Sequence, residues 1–122
     1  MDHKIHSEYV SVSKELVTEI INTKKMGGNV IAVGTTSLRA IETVFSKKLE
    51  QFDGLTDIFI YPGYEFKAID KLITNFHLPK STLLMLVAAF IGFDRMKYLY
   101  EIAIKERYRF LSYGDAMFLT RK

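Results

Sequence analysis

The sequence predicts an α/β domain whose mixed, mostly parallel sheet is flanked by helices. Three observations predict it. A β-branched run, NVIAVG at 29–34, passes directly into a segment with apolar residues at helical spacing, and that segment leads to a second β-branched run. No linker, repeat or low-complexity stretch interrupts the chain, and its two prolines, Pro62 and Pro79, fall at element boundaries. The 122 residues, 48% hydrophobic and 25% charged, suffice for one core, so 1–122 is read as a single segment.

The elements follow in order. DHKIHSEYVSV alternates enough for a strand or an extended arm. Ser13 then caps a helix that runs through Leu16, Val17, Ile20 and Ile21 to a stop at Gly27 and Gly28. NVIAVG has the composition of a buried parallel strand. TTSLRAIETVFSKK places Leu38, Ile41, Val44 and Phe45 at helical spacing, and DIFIYPGY is expected to be the next strand, closing a βαβ unit. KLITNF is a third strand, followed by an apolar helix from Ser81 to Ile91. Asp94 is expected to cap the amphipathic helix DRMKYLYEIAIKERY, in which Glu101 and Lys105 stand at i,i+4. RFLSYGDAMFL holds a turn at 113–115 and a last strand at AMFL.

Composition narrows the function. Without cysteine there are no disulfides, thiolate nucleophiles or cysteine zinc sites, which suits a cytoplasmic protein. No basic segment followed by an apolar stretch opens the sequence, so no secretory signal is expected. The longest apolar run, Leu83 to Phe93, is well short of the ~20 residues that cross a bilayer, so no membrane partner is expected. The net charge of +3 suits an anionic partner such as RNA as well as an ordinary soluble domain. His3 and His6 lack a supporting carboxylate pattern, and no metal is expected.

In open α/β sheets ligands bind beyond the carboxyl ends of the strands. There this chain carries GTTSLR, YPGYEFK and TNFHLPKST. Gly34 permits close backbone approach, and Thr35, Thr36 and Ser37 sit where free helix amides hold an anion or a ribose; alternatively, Thr35 or Thr36 only caps the helix. Neither G-x-G-x-x-G nor G-x-x-x-x-G-K-[ST] is present, so no dinucleotide fold or P-loop is supported. Arg39 and Lys80 are expected in the first turns of their helices, where a cation opposes the dipole at about 0.3–1 kcal/mol. Each then faces solvent, an anionic ligand or a carboxylate on the same rim. His77, before Pro79, is either a general base or a packed structural residue. Tyr61, Tyr108, Arg109 and Tyr113 are candidates for stacking on bases or pairing with phosphate, and Asp115 is either a polar contact or part of a tight turn.

VIAVGTTSLRAIE, IFIYPGYEFKAIDKLITNFHLPKSTLLMLVAAF and YRFLSYGDAMF together resemble the C-terminal part of the S-adenosylmethionine:tRNA ribosyltransferase-isomerases of queuosine biosynthesis. IHSEYVSV also looks like the segment preceding these motifs in that family. The resemblance covers essentially the whole chain. It implies transfer and isomerisation of the ribosyl part of S-adenosylmethionine onto 7-aminomethyl-7-deazaguanine at the tRNA wobble position. Epoxyqueuosine-tRNA forms, and adenine and methionine leave. S-adenosylmethionine is then a consumed ribosyl donor, with no tightly bound cofactor.

Fitted to that chemistry, His77 and Lys80 are candidates near the proton transfer, and Asp115 for contact with the aminomethyl group. Gly34, Thr35, Thr36, Ser37, Arg39 and Asn75 are candidates for holding S-adenosylmethionine. The family is roughly three times longer, with a β-rich insert domain and an upstream part that this chain does not match. A fragment inactive alone, or self-associating through an exposed sheet edge, is therefore expected. The alternative is a non-catalytic module of the same fold that grips tRNA or a nucleoside.

Overall fold

The computed structural model describes residues 8–76, 82–107 and 116–122. The elements are β1 (Glu8–Val12), α1 (Lys14–Lys25), β2 (Ile31–Val33), α2 (Thr35–Ser46), β3 (Phe52–Thr56), β4 (Lys71–Asn75), α3 (Thr82–Ile91), α4 (Phe93–Lys105) and β5 (Ala116–Thr120). Among the described residues these strands form two sheets. One pairs β1 with β3, and the other has the order β2, β4, β5.

Local chemistry explains most boundaries. Ser13 caps α1 as expected, its Oγ accepting from the Leu16 amide at 3.1 Å, and Lys24 and Lys25 complement the dipole in the last turn. Helices α2 and α4 both open on a glycine instead. Gly34 and Gly92 serve as N-caps with φ of 95° at each, and neither helix has a side-chain cap bond. That backbone conformation is open to glycine and costly for other residues. Asp94 is therefore not the cap of α4 but a first-turn carboxylate, still favourably placed against the dipole. Likewise neither Thr35 nor Thr36 caps α2.

The expected strand at DIFIYPGY is corrected by the structure: residues 57–64 form no strand. The strand in this region is Phe52–Thr56, which runs antiparallel to β1 in a register from Glu8 opposite Thr56 to Val12 opposite Phe52. The parallel partner of β2 is β4, with Val33 opposite Ile73, and β5 runs antiparallel on the other side of β4. The α/β class and the mixed sheet stand. Parallel pairing, expected to dominate, is confined to β2 with β4 among the described residues. Helix α2, with the connection after it, makes that crossover.

Helix α2 also joins two cores. Its Leu38 belongs to the main core with Leu72, Leu86, Val87 and Phe90, while Ala40 and Val44 pack with Val10, Val12 and Val17 under the small sheet. In the main core Phe66 meets Phe90 edge-on, ring centroids 5.0 Å apart. Helix α3 is apolar because it lies between β5 and α4, with Leu86 to Ile91 all buried. At the sheet end where β2 and β4 begin, Asp70 accepts from the Val30 amide at 2.9 Å, Lys24 Nζ at 3.0 Å and the Arg121 guanidinium at 3.3 Å. Burial pushes the Asp70 carboxyl up, but the Val30 amide and the two cations outweigh it and hold the group below its ordinary range.

Candidate functional site

The parallel pairing of β2 and β4 brings their carboxyl ends to one edge. There the Gly34 amide donates to the Ile73 carbonyl at 2.7 Å, which holds the end of β2 against β4 just where the chain turns into α2. A β-carbon on Gly34 would meet nothing within 4 Å, so glycine is required there by backbone conformation and not by crowding. Thr35 is the first helical residue and half-buried, and Thr36 and Ser37 are exposed beside it. The first amides of α2, lacking a side-chain cap, point toward this rim.

Asn75 ends β4 on the same edge, exposed and opposite Ala116 of β5. The structure thus brings Gly34, Thr35, Thr36, Ser37 and Asn75 to the ends of adjacent strands. Arg39 lies one residue past the first turn of α2, not within it. Its guanidinium pairs with the Glu8 carboxylate at the start of β1 and donates to the Ile58 carbonyl at 3.0 Å. Thr36 Oγ1 also reaches Glu8, at 3.3 Å. Of the readings open to Arg39, the carboxylate on the same rim is the one observed.

Tyr61 is half exposed, with its ring 5.5 Å from that of Phe59. It opens a turn closed by the Tyr64 amide donating to the Tyr61 carbonyl at 3.0 Å. Beyond this turn the chain wraps around Glu42, a fully buried residue of α2. One oxygen of Glu42 accepts from the Tyr64 hydroxyl at 2.9 Å and the Lys67 amide at 2.8 Å; the other accepts from the Ala68 and Ile69 amides at 2.9 and 3.0 Å. Burial, and then the charge and hydrogen bond of Glu42, push the Tyr64 phenol well above its ordinary value.

Sequence reasoning missed both Glu8 and Glu42. The signal for Glu42 was present: it falls four residues after Leu38 and three before Phe45, on the apolar face of α2, where a carboxyl group needs buried donors. Glu8 gave no such signal, because its partner is 31 residues away. His77, Lys80, Tyr108, Arg109, Tyr113 and Asp115 lie outside the described residues, as do His3 and His6. No helix among the described residues is long and apolar enough to cross a membrane.

A parallel strand pair that ends in a glycine turn, a helix start rich in hydroxyls and an exposed asparagine belongs to the α/β class of proteins, in which ligands are bound beyond the carboxyl ends of the strands. The family model described as queuosine biosynthesis protein matches residues 1–119. The chain belongs to that family. The fold is also similar to the crystal structure of an S-adenosylmethionine tRNA ribosyltransferase from Thermotoga maritima, with a TM-score of 0.84 and 51% sequence identity. That match covers 90% of this chain and 39% of the other, so the chain spans well under half the length of its solved relative.

Proposed function

We propose that this chain is the C-terminal part of the catalytic α/β domain of an S-adenosylmethionine-dependent tRNA ribosyltransferase-isomerase. The observation that carries this reading is the family match over residues 1–119, supported by the 51% identity to a solved ribosyltransferase. The reaction moves the ribosyl part of S-adenosylmethionine onto 7-aminomethyl-7-deazaguanine at the tRNA wobble position and rearranges it to the epoxycyclopentane of epoxyqueuosine. Adenine and methionine leave, and a cytoplasmic setting provides both substrates.

The chemistry requires a base to take a proton from the carbon beside the sulfonium, whose charge acidifies it. The amine of the modified base attacks as adenine departs. In this reading His77 and Lys80 serve the proton transfer, and Asp115 contacts the aminomethyl group. Gly34 lets the substrate approach the backbone, while Thr35, Thr36, Ser37 and Asn75 offer hydroxyl and amide groups to the ribose. A substrate carboxylate or a tRNA phosphate reaches Arg39 only by sharing or displacing Glu8, so we assign Arg39 first to positioning the start of α2. Tyr61, Tyr108, Arg109 and Tyr113 supply stacking and phosphate contacts to the tRNA.

Free adenine, measured by chromatography with mass detection, tests the reading. The chain is mixed with S-adenosylmethionine and the modified tRNA, alone and after assembly with the remaining part of a family polypeptide. Release that needs both substrates supports it. Assembled protein that binds tRNA without releasing adenine points instead to a non-catalytic binding module.

A further inference from the structure

Residues 57–64 pair with no strand among the described residues, yet both ends of the segment are held by one face of α2. Arg39, Glu42 and Thr43 stand at i, i+3 and i+4 on that helix and so share a face. At the first end, the Arg39 guanidinium donates to the Ile58 carbonyl at 3.0 Å, and the Thr43 and Thr56 hydroxyls lie 2.7 Å apart. At the second end, Glu42 accepts from the Tyr64 hydroxyl at 2.9 Å and from the amides of Lys67, Ala68 and Ile69. Between them the backbone arches through Pro62 and Gly63, whose φ is 106°, and the Tyr64 amide closes the turn on the Tyr61 carbonyl at 3.0 Å. Ile60 anchors the arch in the main core, whereas Tyr61 is 52% exposed, its ring 5.5 Å from that of Phe59.

The fully buried Glu42 is used by no step of the proposed reaction. A buried carboxylate is costly unless it is hydrogen-bonded, and four donors that converge on it from one loop fix the geometry of that loop. A ring displayed on a fixed backbone loses little conformational freedom when a base stacks on it. We propose that Glu42 and Tyr64 are positioning residues for RNA binding: they hold the arch 58–64 so that Tyr61 is preorganised to stack on an unpaired base of the tRNA. The inference rests on the tRNA partner of the proposed function and is independent of its chemistry, since stacking needs no turnover.

The test is a double-mutant cycle on tRNA affinity, measured at one fixed salt concentration in the chain assembled with the rest of a family polypeptide. The probe is tRNA carrying 7-aminomethyl-7-deazaguanine, and adenine release is followed separately. Tyr61→Ala should weaken binding about tenfold, as loss of one stacked base does. Tyr64→Phe should weaken it about threefold, within the range of one lost hydrogen bond. The double variant should bind no more weakly than Tyr61→Ala alone, because the Tyr64 hydroxyl acts only through the ring it places. Glu42→Gln should behave as Tyr64→Phe does, and if it fails to fold, Tyr64→Phe, which removes one donor of four, still decides the matter. Gly92→Ala, which strains the start of α4, should keep the wild-type affinity. Losses that add in the double variant overturn the proposal, as does unchanged affinity in Tyr64→Phe or an equal loss in Gly92→Ala. Wild-type protein that binds the tRNA but releases no adenine overturns the proposed reaction and leaves the cycle to decide this proposal; wild-type protein that does not bind the tRNA overturns both.

Discussion

The Tyr64 hydroxyl donates to the Glu42 carboxylate at 2.9 Å across 22 residues of sequence, fastening the segment that replaces the expected strand to the middle of α2. The same carboxylate takes three successive backbone amides, those of Lys67, Ala68 and Ile69. One fully buried side chain thus satisfies backbone groups that would otherwise need a ladder.

Replacing Glu42 should therefore be among the costliest single changes. Glu42→Gln exchanges one acceptor oxygen for a donor facing N–H or O–H groups, and a loss of roughly 2–4 kcal/mol is expected. Tyr64→Phe removes one donor of four and should cost about 1–2 kcal/mol. Chemical denaturation of both variants checks the order.

Tyr64 also sets an alkaline limit. Its pKa is raised on folding, so its contribution to stability is complete below the ordinary tyrosine value of about 10 and is lost as the pH climbs above it. There the unfolded phenol ionises while the folded one holds its proton. Unfolding free energies measured from about pH 8 to 11 should fall more steeply for the wild type than for Tyr64→Phe.

Asp70 gives the opposite dependence. Its folded pKa lies below the ordinary carboxylate value, so the stability it contributes is present above that value and is lost as the pH falls through the acid range. Asp70→Asn should lower stability at neutral pH and flatten the acid limb of the curve. An unchanged acid limb in urea titrations would separate Asp70 from the acid response.

Gly34→Ala tests the turn into the rim. With φ of 95° and open space around the absent β-carbon, the cost is backbone strain alone, about 1–3 kcal/mol. Gly92→Ala faces the same strain at the same φ and should be destabilised by a similar amount. Thermal unfolding of the pair checks this, and only Gly34→Ala should also weaken S-adenosylmethionine binding.

Arg39→Ala should leave Glu8 with its Thr36 hydroxyl contact but no cation, and the Ile58 carbonyl without this donor, at a cost of about 1–3 kcal/mol. Arg39→Lys should recover only part of that, because an ammonium lacks the planar fork that reaches both partners. Denaturation of the two variants side by side gives the comparison.

Much of the architecture was legible because it rests on local signals. Ser13, the spacing of Leu38 and Ile41, and the apolar run before Gly92 each announce their element within a few residues. The strand Phe52–Thr56 was not, since Asp53 and Gly54 resemble a turn and its pairing depends on β1, some forty residues earlier. Residues 57–60 misled in the opposite direction. Ile58 and Ile60 pack on the main core as strand residues would, but among the described residues no strand pairs with them. The placement of Gly34 to Ser37 and Asn75 at the ends of adjacent strands was legible from their positions just after β-branched runs, while the Glu8 partner of Arg39 required the tertiary fold.

The central claim is that the edge formed by Gly34 to Ser37 and Asn75 receives S-adenosylmethionine. Amide hydrogen exchange, followed residue by residue in the chain assembled with the rest of a family polypeptide, tests it most directly. Added S-adenosylmethionine should slow exchange at residues 34–37 and 75 and leave Val30 and Asp70, at the opposite end of the sheet, unchanged. Bound S-adenosylmethionine that leaves residues 34–37 and 75 exchanging at their free rates would contradict it.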